Sequence, residues 1–133
     1  MSDRLVLVDT SAWLAVFRAH GLKAEVDTLQ AANRIAINWL IRAELLAGAK
    51  DDQDYGRLND ELHGLHQLDL RDDVWQEAAR LRFRLRRRGL LLPLADTTIA
   101  GCAMVYDCEL LHADRHFDVI ARATPLKIFH AAR

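Results

Sequence analysis

The sequence predicts an α/β fold, a parallel β-sheet sandwiched between α-helices, and three observations predict it. Short strand-like runs recur along the chain, at 5–8 ("LVLV"), 34–38 ("RIAIN") and 109–112 ("ELLH"), the first of them apolar with β-branched residues, as expected of a strand covered on both faces. Between them lie segments whose apolar residues return every three or four positions, the period of a helix with one buried stripe. Strand and helix text alternate, which is the pattern of parallel strands joined by crossover helices. At 133 residues the chain fits a single domain over 1–133 and needs no cross-links to hold a core.

Taken in order, residues 5–8 form the first strand, and helices follow over 12–19 and, past Gly21, over 22–32. Residues 34–38 read as the second strand. Helical periodicity then runs over 39–49, with Leu40, Ile41, Leu45 and Gly48 on one stripe and Arg42 on the solvent face. Residues 51–66 read as a polar amphipathic helix and 67–70 as a short strand. Asp72 or Asp73 is positioned to cap a helix whose apolar residues are Val74, Ala78, Leu81 and Leu85, and Gly89 ends it. A helix over 95–106, a strand over 109–112 and a last strand over 126–129 complete the pattern, with Asp114 in a turn.

Composition excludes several classes. A hydrophobic share of 51% with 28% charged residues fits a soluble globular protein rather than a disordered one. The apolar stretches are too short to span a bilayer. Met1-Ser2-Asp3-Arg4 has mixed charge and no apolar leader, so a cytoplasmic protein is expected. Cys102 and Cys108 have the spacing of neither a zinc knuckle nor a redox pair, and two reduced thiols are expected. A net charge of −1 gives no general attraction for polyanions. Any nucleic acid has to be held locally, by the six arginines within 80–88.

The chemistry is concentrated in four acids. Asp9 ends the first strand and is followed by Thr10 and Ser11, all three of them types that cap helices. Glu44 falls inside the apolar stripe of its helix, where an unpartnered carboxylate is costly, unless it sits at the margin and reaches water or an arginine. Asp96 opens a helix, where the dipole favours it, and Asp114 follows a strand. Each position has a structural explanation alone. Together they lie at one edge of the sheet, and functional groups collect at the carboxyl ends of parallel strands. Two carboxylates about 5 Å apart repel by roughly 3 kcal/mol at an effective dielectric of about 20. Either some of them stay protonated or a divalent cation neutralises them, and hard oxygen ligands suit Mg²⁺ or Mn²⁺.

The segments "LVLVDTSAW", "INWLIRAELLAG", "LPLADTTIAGCA" and "LLHADRHFDVI" resemble, in order and spacing, the PIN-domain family, and most closely its VapC-like toxins from bacterial toxin–antitoxin pairs. The resemblance implies a PIN-like parallel sheet and metal-dependent endoribonuclease activity leaving a 5′-phosphate and a 3′-hydroxyl. It makes Asp9, Glu44, Asp96 and Asp114 the catalytic acids, with Asp9, Asp96 and Asp114 holding the cation. It also implies an RNA substrate, a cognate antitoxin protein that grips an apolar groove near the early helices, and a homodimer. Many relatives carry a hydroxyl residue where His112 stands, and some carry an acid where His116 stands. These histidines, with Thr10 and Ser11, are candidates to touch the phosphate or a ligand carboxylate; each histidine is equally a structural hydrogen-bonding residue.

Arg82, Arg86 and Arg87 are candidate RNA contacts. A solvated helix face complementing the dipole, or pairing with the acidic helix over 51–61, explains them as well. His63 and His66 share a helix face without a third ligand, which disfavours zinc. Trp13, Phe17 and Trp39 read as core or partner-groove residues. Two alternatives remain open, a DNA structure-specific nuclease of the same family and a catalytically silent binding module. Haloacid dehalogenase chemistry requires an acid where Ser11 stands, and a receiver domain requires a lysine just after a late strand, which this chain lacks.

Overall fold

Residues 4–130 are described by a computed structural model, and the reading of residues 1–3 falls outside them. The chain runs β1 (Val6–Val8), α1 (Thr10–Phe17), α2 (Lys23–Ala31), β2 (Ile35–Ile37), α3 (Trp39–Leu46), α4 (Asp52–His63), β3 (His66–Gln67), α5 (Asp72–Arg87), α6 (Leu94–Val105), β4 (Glu109–Leu111), α7 (Arg115–Ala123) and β5 (Lys127–Ile128). The five strands form one parallel sheet in the order β3-β2-β1-β4-β5. Val6, Leu7 and Val8 are fully buried, as a central strand with both faces covered must be. Val6 lies opposite Ile35 on one side and Glu109 on the other, so the residue after β1 emerges beside those after β2 and β4.

Leu7, Ile37, Ile41, Ile99, Leu110, Phe117 and Ile120 belong to one contiguous core cluster. Val6, Val8, Val26, Leu29 and Ile35 pack in a smaller cluster with α1 and α2. Burying each such side chain contributes about 1.5–3 kcal/mol before the entropy of ordering the chain is set against it.

Four expectations are corrected. Residues 115–123 form a helix, α7, that the strand-and-turn reading of this stretch did not contain; Phe117 and Ile120, three positions apart, anchor it in the core. The third strand is His66–Gln67 rather than 67–70. Neither Asp72 nor Asp73 caps α5: Arg71 holds the cap position without a side-chain bond, and the acids lie in the first turn, with Asp73 paired to Arg71 at 3.0 Å. The acidic helix α4 draws on its own cation rather than on the α5 arginines, since Arg57 reaches Asp54 at 2.7 Å and Glu61 at 3.0 Å and, among the described residues, no α5 arginine pairs with it. Gly89 does end α5, with a φ of +78° that favours glycine.

The two thiols are free and buried, and burial pushes both Cys102 and Cys108 up to about 11, which leaves them unreactive at neutral pH. Among the described residues no helix is long and apolar enough to cross a membrane.

At Gly101, α6 meets α5 backbone to backbone. A Cβ there would lie 3.1 Å from the Ala78 nitrogen and 3.2 Å from its Cα. Gly101→Val is therefore expected to part the helix pair and cost about 1–3 kcal/mol, read as a lower urea midpoint with an unchanged slope.

Candidate metal centre

Asp9 leaves β1 in extended conformation and caps α1, its Oδ2 accepting from the Ser11 N–H at 3.0 Å and the Ser11 hydroxyl at 2.6 Å. Its own N–H donates to the Leu111 carbonyl at 2.9 Å, which ties the end of β1 to the end of β4. Ser11 Oγ also accepts from the Ala113 N–H at 3.0 Å. One hydroxyl thus holds Asp9 and the loop that carries Asp114. Asp114 caps α7, with Oδ1 accepting from the His116 N–H at 2.9 Å.

Asp96 lies in the first turn of α6. His116 Nδ1 is 2.8 Å from Asp96 Oδ2 and 3.4 Å from Asp114 Oδ1. One donor atom from each of Asp96, Asp114 and His116 falls within 4.8 Å of the others.

The acids act on one another. Burial pushes the Asp9 carboxyl above its ordinary value of 3.8; hydrogen bonds from Ser11 and Thr10 oppose the shift, and the Asp114 charge adds to it. Asp96 is also raised, first by burial, with the His116 hydrogen bond pulling down and the charges of Asp114 and Asp9 pushing up. Two carboxylates within 4.8 Å repel by about 3 kcal/mol at an effective dielectric of about 20, and by less where water reaches them. Among the described residues, the only ion-pair partner of the three aspartates is His116. A raised pair of acids with little cationic compensation and mostly oxygen donors fits a hard divalent cation.

Glu44 and Arg42 exchange the environments expected of them. Glu44 is exposed, and its Oε1 accepts from the Thr10 hydroxyl at 2.7 Å. Arg42 is the buried one, at 2% exposure. Its guanidinium donates to Gln67 at 2.8 Å and Asn59 at 2.7 Å, and it lies 3.7 Å from the centre of the Trp39 ring. The buried side of α3 runs through Ile41, Arg42, Leu45 and Leu46. Polar partners and an aromatic face let a cation occupy that side without a carboxylate. Thr10, the residue after Asp9, holds Glu44 by this bond even so.

The two histidines separate. His112 stands off the acids: its Nδ1 accepts from the Asp114 N–H at 3.1 Å, its Nε2 lies 3.3 Å from Asp118, and its ring packs against Phe117. It shapes the turn before α7. Of the arginines, Arg82 donates to the Leu92 carbonyl at 2.7 Å, Arg87 lies over Phe83, and Arg86 is exposed. Trp13 is half-buried, while Phe17 and Trp39 are exposed.

The PIN domain sequence model matches residues 6–123. Ribonuclease VapC11 of Mycobacterium tuberculosis is 36% identical over 129 residues, covering 92% of this chain and 96% of the relative; a VapC ribonuclease of Mycobacterium bovis matches equally. Among solved structures, VapBC2 of Rickettsia felis bound to a promoter DNA fragment superposes with a TM-score of 0.77 at 22% identity, covering 94% of this chain and 97% of that one. DNA-bound VapBC of Salmonella typhimurium gives 0.76 at 18% identity, covering 95% and 97%.

Proposed function

The chain belongs to the PIN-domain family, and from that premise we propose that it is a divalent-metal-dependent endoribonuclease, the toxin of a toxin–antitoxin pair acting in the cytoplasm. The observation that carries the reading is the meeting of Asp9, Asp96 and Asp114, from three distant segments, where burial and then the charges of neighbouring acids raise the proton affinity of Asp9 and of Asp96. The M. tuberculosis relative's name, a ribonuclease, supplies the substrate class.

Asp9, Asp96 and Asp114 would hold Mg²⁺ or Mn²⁺, which when bound supplies an acidified water and offsets charge on the phosphoryl and departing oxygens. The chain's own groups set the stage for it. Ser11 fixes one oxygen of Asp9 and the backbone before Asp114. His116 fixes Asp96, as partners of ligating groups commonly do. Glu44, with one oxygen held by Thr10, has the other free among the described residues and would orient a cation-bound water or share a second cation. His116→Ala is expected to weaken Mn²⁺ binding by about 10- to 100-fold, read by calorimetric titration.

Two surfaces fit the partners. An apolar groove of about 330 Å³ between α1, α3 and α4, lined by Leu14, Phe17, Leu45 and Leu58, with Arg57 paired to Asp54 and Glu61 along its edge, suits an apolar antitoxin segment. Trp75 and Phe83, two turns apart on α5, are exposed together with Leu91 and Leu94 and suit a second copy of the chain.

The deciding experiment incubates the purified chain with labelled RNA, and with DNA of the same sequence, in Mg²⁺, Mn²⁺ or chelator. RNA cut internally only with the cation supports the reading. Cleavage of DNA alone, or of neither strand despite measurable cation binding, ends it.

A further inference from the structure

The arginines of α5 do not form a uniform basic face. Arg84, Arg87 and Arg88 line a cleft of about 410 Å³ whose floor includes Leu81, Leu85 and Met104 and whose far wall is Ala123–Pro125, where α7 ends. Asp114 caps the other end of that helix. Ten residues at about 1.5 Å each put the cleft about 15 Å from the acid centre.

Several exposed cations elsewhere have a carboxylate partner, while Arg18, Arg80, Arg86, Arg115 and Arg122 stand singly on the surface without one among the described residues; what sets the cleft apart is that three cations converge on one apolar hollow. Arg57 has Asp54 and Glu61, Arg71 has Asp73, Lys23 has Asp27, and Lys127 has Asp107. Among the described residues, no ion pair involves Arg84, Arg87 or Arg88, although Glu77 also lines the cleft. Complementing the α5 dipole requires no such convergence, since that effect is served by any cation in the last turn.

We infer that this cleft is a second nucleic-acid site, taking a backbone phosphate of the RNA on its arginines and the attached nucleoside against its apolar floor. The choice of RNA rests on the ribonuclease reading, and its chemistry fits the lining. Arginine forks match phosphate oxygens bidentately, and an apolar floor accepts a base without reading its sequence. The site thus grips RNA at a distance from the cut. It also revises which α5 arginines face RNA: Arg84, Arg87 and Arg88, whereas Arg82 is spent on the Leu92 carbonyl.

The test measures binding of a labelled single-stranded RNA to the full chain in chelator, so that cleavage plays no part, across a salt series. R84Q/R88Q is expected to weaken binding about tenfold and to flatten the dependence of log affinity on log salt by about 1 to 2, while R84K/R88K keeps the parent slope. Unchanged affinity and slope in R84Q/R88Q overturns the inference. So does loss of binding to a polyglutamate peptide with RNA affinity intact, which marks the cleft as a protein site. If the parent chain cuts no RNA in Mn²⁺ yet R84Q/R88Q still loses RNA affinity, the cleft stands and the ribonuclease reading falls.

Discussion

Asp9→Asn is expected to abolish RNA cleavage and at the same time to raise the melting temperature of the metal-free protein. Removing a proposed ligand would forfeit cation-derived stabilisation of the transition state, on the order of 4 kcal/mol, or about a thousandfold in rate. The opposite effect on stability follows from the raised proton affinity of Asp9. Because the folded chain holds this proton more tightly than the unfolded chain does, metal-free stability falls as pH rises from near the ordinary value of 3.8 through the elevated folded value. Asparagine keeps the oxygen that accepts from Ser11 and discards the charge. The gain in melting temperature should therefore be present at neutral pH, roughly 3–5 °C for each kcal/mol recovered, and vanish below pH about 4. A variant that still cuts RNA at the parent rate, or one that melts lower than the parent at pH 7, would contradict the arrangement of charges described above.

Phe117→Ala is expected to be the most destabilising single truncation in α7. The ring is fully buried, packs 5.3 Å from His112, and is one of two side chains that sink this helix into the core. Truncations of this kind cost about 3–5 kcal/mol, a large share of the 5–15 kcal/mol that domains typically possess. Because Asp114 and His116 ride on the same helix, cation binding should fail along with stability. Chemical denaturation monitored by circular dichroism measures the first effect and calorimetry the second. A loss under about 1 kcal/mol would mean that α7 is not anchored by this ring.

Much of this was legible in the sequence. The β-branched runs at 6–8 and 35–37 announced themselves because a strand buried on both faces has no polar residue to blur it, and 109–111 was readable from its two leucines beside a helix end. Their ends, and the helix opening at Asp96, put Asp9, Asp96 and Asp114 at one edge by topology. What stayed hidden depends on tertiary partners. The burial of Arg42 is set by Gln67, Asn59 and Trp39, none of which marks itself as its neighbour in the sequence, so the charged residue read as outward and Glu44 as inward. The segment 115–123 carries an apolar pair, Phe117 and Ile120, that gives helical spacing, yet the turn signal of Asp114 masked it; the aspartate was the start of a helix rather than a bend. His112 and His116 could not be told apart, because ring orientation is decided by the N–H of Asp114 and the carboxylate of Asp96.

The hydroxyl of Ser11 meets the backbone of Ala113 across 102 positions of chain. During synthesis, at about 5–20 residues per second, that contact waits about 5 to 20 s after the first strand has left the ribosome. Until then Asp9 lacks the loop that carries Asp114, so the acid cluster closes only in the last stretch of synthesis and cannot gather a cation co-translationally before it.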